Sequence, residues 1–152
     1  METYTVDTSN SAHYRHGILR VKWGKTLLGS ELYQRYNTVL EQAAQGNQCR
    51  IWLLDISERT QLVLADDLWL QKDFVLRATQ LLNGPVFVAY LVAPQLLAKI
   101  EHVSASMTRT WAAEHNFYCA FFENAGQAYS WLRDQQELAL ANGRAECDAQ
   151  SA

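Results

Sequence analysis

Two apolar runs limit what this chain can become: 51-IWLLDIS-57 and 86-VFVAYLVA-93. Each has the length of a strand and is apolar almost throughout. A strand with one face in water alternates apolar with polar residues, whereas a run without alternation belongs to a strand covered on both faces. Each run is followed by a segment of helical periodicity. That pairing points to a parallel sheet whose strands are joined by right-handed helical crossovers.

The other elements build around these two strands. Residues 2–7, ETYTVD, alternate, then 8-TSNSAHYRHG-17 turns the chain, and 18-ILRVKWG-24 alternates again. Leu19, Val21 and Trp23 share one face of that second strand; Ile18, Arg20 and Lys22 share the other. The two strands are expected to pair as an antiparallel hairpin. Leu32, Tyr36, Val39, Leu40 and Ala43 recur at helical spacing, with Ser30 as cap and Gly46 at the end. A second helix is expected over 65–82, its apolar stripe formed by Leu70, Phe74, Ala78 and Leu81, widened by Leu68 and Val75, and closed by Asn83-Gly84. Pro94 suits the first turn of a third helix, along which Leu97, Ile100, Ser104, Met107 and Trp111 follow one face. The last strand is 117-FYCAFF-122. After it, 124-NAGQ-127 has the form of a capping box leading into a helix that buries Ala128, Trp131 and Leu132. The expected fold is α/β, a mixed sheet of about five strands in the order β-β-α-β-α-β-α-β-α. A single domain would span 1–138, with 139–152 as a disordered tail.

Composition removes several functions. The 152 residues are 49% hydrophobic and 19% charged, enough for one substantial core. A formal charge of −3, with no Lys/Arg block, gives no attraction to nucleic acid. Nothing approaches the apolar length of a membrane span, and the first fifteen residues are polar, so a cytoplasmic protein is expected. Cys49, Cys119 and Cys147 are widely spaced and odd in number, which suggests neither a disulfide framework nor a CxxC site; Cys49 and Cys119 read as small buried hydrophobes. His13 and His16 form HxxH without a third ligand nearby, so no metal is expected. GxGxxG, GxxxxGK and HExxH are all missing, so no cofactor is expected either.

The segments 18-ILRVKWGK-25, the strand ending in Asp55, 67-DLW-69, 84-GPVFVAYLVAP-94 and 128-AYSWL-132 together resemble the STAS family of sulfate-transporter and anti-sigma-factor-antagonist domains. The likeness is nearest to the bacterial SpoIIAA-like proteins described as STAS or SEC14-like, and it covers roughly residues 2–135. It implies a regulatory domain that works through protein contacts. In signalling members the strand corresponding to 51–57 leads to a D-S-S-G-type turn whose Ser or Thr is phosphorylated. Here the matching positions read 63-VLADD-67, without Ser, Thr or Gly. The phosphoacceptor turn is therefore absent, and Asp66 and Asp67 at the helix start would repel an added phosphate.

Candidate site residues cluster around this connection. Asp55 stands at the carboxyl end of a central strand, where open α/β sheets tend to bind ligands. Arg59 is close enough in sequence to pair with it, and Ser57 and Thr60 supply the hydroxyls of the corner. Asp66 and Asp67 are adjacent on a helix and point about 100° apart, so they make a poor acid–base pair. Trp69 lies just off the apolar stripe and suits either the cover of a pocket or a contact with another subunit. The expected function is a non-catalytic domain that binds a protein partner or a second copy of itself through residues 57–67 and the following helix. The alternative is a carrier or sensor holding a small apolar ligand between sheet and helices.

Overall fold

The computed structural model describes residues 3–7, 10–24, 29–45, 48–59, 73–102 and 111–141. Within them a six-stranded sheet runs in sequential order, formed by β1 (Thr3–Asp7), β2 (Asn10–Arg15), β3 (Ile18–Lys22), β4 (Ile51–Asp55), β5 (Val86–Leu91) and β6 (Phe117–Phe122). The first three strands pair antiparallel, and β3 to β6 pair parallel. The helices that accompany the sheet include α1 (Gly29–Gln45), α2 (Val75–Leu81), α3 (Pro94–His102) and α4 (Ala125–Ala141), and residues 111–114 are helical as well. The mixed α/β architecture matches the expectation, with one strand more than the count of about five.

The additional strand comes from 10-NSAHYR-15, which the sequence reading assigned to a turn. His16 (φ 54°) and Gly17 (φ 79°) both lie in the left-handed region. Two successive positive φ values fit the tight hairpin loop whose twist matches that of the strands beside it. The chain thus reverses in two residues, Arg15 pairs with Ile18, and β2 rather than β1 lies against β3.

Parallel register fixes which residues share a face. Leu19, Trp52, Val88 and Cys119 form one row across the sheet; Arg20, Leu53, Ala89 and Ala120 form the next. Neighbouring rows point to opposite faces. The row of Trp52 faces α1 and α2, where Trp52 lies 6.1 Å from Phe74 and 6.4 Å from Phe117, ring centre to ring centre. Tyr36 of α1 lies 4.9 Å from Phe74 and 5.0 Å from Trp23. Because the parallel strands advance in one direction, right-handed crossovers put α1, α2 and α3 on this same face. Among the described residues no strand follows α4, and this helix lies on the opposite face. There it packs across β4, β5 and β6, with Trp131 against Phe87 and Phe122.

The buried side of α1 is Leu32, Tyr36, Val39, Leu40 and Ala43, as its spacing predicts. Gly46, its expected stop, lies outside the described residues. On α2 the buried positions are Phe74, Val75, Ala78 and Leu82. Leu81, expected in the stripe, is instead 50% exposed, because the stripe continues from Ala78 to Leu82 at four-residue spacing. The helix ends with Asn83 at φ 60° and the Gly84 N–H donating to the Thr79 carbonyl, a Schellman closure with Asn in the left-handed position. Arg50 supports that end, its Nη1 donating to the Leu82 carbonyl at 3.1 Å. At the start of α4 the Asn124 Oδ1 accepts from the Gln127 N–H at 3.1 Å, so the Asn half of the expected capping box is present. The helix continues to Ala141, and the rest of the expected tail, 142–152, lies outside the described residues.

Cys49 corrects another expectation. It is fully buried but disulfide-bonded rather than an apolar thiol, and its partner lies outside the described residues; Cys119 remains a thiol. The Cys49 sulfur lies 3.4 Å from the Ile51 carbonyl and 3.7 Å from that of Gly17. A disulfide sulfur has no proton to donate, so these are contacts and not hydrogen bonds.

Candidate functional site

The corner after β4 is built by the strand itself. Asp55 is the last residue of β4, in register with Lys22 and Leu91, and is only 6% exposed. Its Oδ1 accepts the Ser57 N–H at 3.0 Å and the Ser57 hydroxyl at 2.6 Å. This is the local turn that Asp and Ser side chains make with backbone two residues away. The Arg59 N–H donates to the Ile56 carbonyl at 2.9 Å and completes the bend. The Ser57 hydroxyl is thereby committed to a carboxylate, and a phosphate added there would meet that negative charge at close range.

Asp55 and Arg59 do not form the ion pair that their sequence spacing suggested. Alternation along the strand is the reason: Asp55 shares a row with Lys22 and Leu91, whereas Leu54 and Tyr90 occupy the row on the opposite face. Arg59 is 6% exposed, and its positive charge opposes the rise of the Tyr90 phenol. The exposed salt bridge at the corner joins Lys22 Nζ to Glu58 Oε2 at 3.6 Å. Such a pair is worth little in water. Of the expected set, this corner brings together Asp55, Ser57 and Arg59 among the described residues, while Thr60, Asp66, Asp67 and Trp69 lie outside them.

Beneath the helices lies a polar pair that sequence reasoning missed. Tyr36 of α1 and Tyr90 of β5 share a buried hydrogen bond of 2.8 Å between their hydroxyls. Burial pushes the Tyr90 phenol well above its ordinary value, the neighbouring Tyr36 and Cys119 add to the rise, and Arg59 opposes it. Both tyrosines fall in apolar patterns, Tyr36 in a helical stripe and Tyr90 in a strand run, so each reads locally as packing. Nothing in either pattern signals that one hydroxyl meets the other across 54 residues.

Topology also separates His16 and His115 from the corner after β4. His16 stands in the turn preceding β3, and His115, whose Nδ1 lies 2.9 Å from the Trp111 carbonyl, precedes β6. Both therefore sit at the amino ends of the parallel strands, while Asp55 and Ser57 sit at the carboxyl end of β4. Four residue steps along a strand cover roughly 13 Å. That gap is far beyond the hydrogen-bond reach a nucleophile and its base require.

A second concavity lies at those amino ends. Arg15, His16 and Ile18 of the β2–β3 hairpin face Tyr129, Arg133 and Gln136 of α4 across a cleft of about 310 Å³. The Gln136 amide donates to the His16 carbonyl at 3.1 Å, and Arg20 Nη1 donates to the Tyr129 hydroxyl at 3.0 Å. Three or more His, Cys, Asp or Glu side chains placed to hold a metal ion are not found among the described residues. No helix among them is long and apolar enough to cross a membrane. No protein-family model, curated protein or solved structure matches the chain.

Proposed function

We propose that the chain is a non-catalytic regulatory domain of the STAS-like kind, acting by contact with a protein partner or with a second copy of itself. The observation that carries this reading is on α2. Leu76 and Leu81 are 39% and 50% exposed, and they stand on the helix that follows the connection singled out as the contact surface. Leu76 and Leu81 point about 140° apart around a helix anchored by Phe74, Val75, Ala78 and Leu82, and association over α2 would take these apolar side chains out of water. Arg77, between them, is tied to Asn37 of α1 and to Asp73, so the two helices present one firm face. The Ser57 hydroxyl held by Asp55, and the distance of His16 and His115 from that corner, support a role without hydrolytic chemistry.

Light scattering at micromolar concentration tests the reading directly. The expected mass is twice that of one chain, falling to one chain in the Leu76→Glu, Leu81→Glu double variant with an unchanged melting temperature. A one-chain mass for the wild type, together with equal recovery of partners by wild type and variant, would remove α2 as a contact surface.

A further inference from the structure

We propose that the cleft between the β2–β3 hairpin and α4 binds a small amphiphilic anion: a phosphate or carboxylate head carried on a ring or short apolar body. This site lies on the opposite face of the sheet from α2, so it is independent of the contact surface proposed above. Tyr129, Arg133 and Gln136 are spaced i, i+4, i+7 and form one stripe of α4 facing the hairpin. The neighbouring stripe, with Ala128 and Leu132 fully buried, seats the helix on the sheet. One helix thus splits its surface between anchoring and lining the cleft.

The charge of the cleft opposes that of the chain. The formal net charge is −3, yet the full charges that line the cleft, Arg15 and Arg133, are both positive. Both are exposed, and among the described residues neither makes an ion pair. Asp134 and Glu137 on the same helix are exposed and do not line the cleft. Arg20 does not line the cleft but braces one of its walls, with its Cζ 5.8 Å from the centre of the Tyr129 ring and its Nη1 donating to the Tyr129 hydroxyl. Guanidinium groups facing one another across a gap provide the planar donors that phosphate and carboxylate accept.

The floor sets the rest of the ligand. Ile18 is 3% exposed and underlies the cleft, with the Tyr129 ring beside it. An apolar body placed there leaves water while its head remains with the arginines. A volume of about 310 Å³ is at the lower end for small-molecule sites, which suits one ring or a short chain. The Gln136 bond to the His16 carbonyl ties hairpin to helix, so the two walls are held in place before any ligand arrives.

Titration of the full chain with phenyl phosphate, followed by amide NMR and calorimetry, is the test. Shifts should concentrate at Gly17, Tyr129, Arg133 and the Gln136 side-chain amide. Binding should be at least tenfold weaker for Arg15→Ala, Arg133→Ala, and at least tenfold weaker for inorganic phosphate than for phenyl phosphate. Since both arginines are exposed, the variant should melt with the wild type; Arg133→Ala alone gives the same reading in smaller measure. Equal binding by the variants, or shifts confined to residues away from the cleft, would overturn the site. Inorganic phosphate binding as tightly as phenyl phosphate would overturn the amphiphilic assignment.

Discussion

The Tyr36–Tyr90 bond shows how one buried contact governs a response to pH. Tyr90→Phe removes the shared bond from a buried site, a loss of about 1 kcal/mol. The double variant Tyr36→Phe, Tyr90→Phe should cost less than the sum of the two single variants in urea unfolding, because either change alone already removes the same bond. The raised Tyr90 value also has a definite sign. Above the ordinary phenol value near ~10 the unfolded chain releases this proton while the folded chain keeps it, so the contribution to stability is intact below that pH and falls as pH rises through the alkaline range. Alkaline unfolding followed by circular dichroism should therefore begin later in the double Phe variant than in the wild type, once both are normalised to their stability at neutral pH. Ser57→Ala, which removes the hydroxyl held by Asp55, should cost about 1 kcal/mol and leave the fold otherwise unchanged.

Helix ends set the stability of the elements. Asn124 holds the first turn of α4, and Asn124→Ala should lower stability by about 1 kcal/mol in chemical unfolding. At the end of α2 the constraint falls on the residue after the left-handed Asn83. A Cβ added at Gly84 would stand 3.1 Å from both the Arg50 Cζ and Nε, so Gly84→Ala requires the guanidinium beside the Leu82 carbonyl to give by a few tenths of an ångström. Arg50→Ala, which removes the bond to that carbonyl outright, should cost about 1 kcal/mol in chemical unfolding and make Gly84→Ala easier to accommodate in the double variant. The sequence pattern marked both ends correctly in kind. It could not tell that Asn83, not the glycine, takes the left-handed conformation, nor that an arginine preceding β4 closes a helix that comes after it.

At the scale of the molecule, Trp52 joins the elements: it is fully buried, lies near Phe74 and Phe117, and donates its indole N–H to the Cys49 carbonyl at 2.8 Å. Trp52→Ala should cost about 3–5 kcal/mol in thermal or chemical unfolding. The disulfide at Cys49 sets a thiol count: of the three cysteines in the chain, one should react in denaturant before reduction and all three after it. A sequence reading that places two strands in fully buried positions and gives each helix its stripe works because strand and helix periodicity are local, repeating every two and 3.6 residues. The sequence by itself therefore determined most of the elements, the buried side of α1, the two covered strands and the mixed sheet, while it missed β2 and placed Leu81 on the wrong side of α2. Only the tertiary structure decided the hairpin register at His16-Gly17, the placement of α4 on the second face, the separation of Asp55 from Arg59, and the cleft where α4 meets the hairpin. The contacts that define that cleft join residues 109 and 120 positions apart. No local period spans such distances; they are set by which faces the backbone brings together once the sheet has formed.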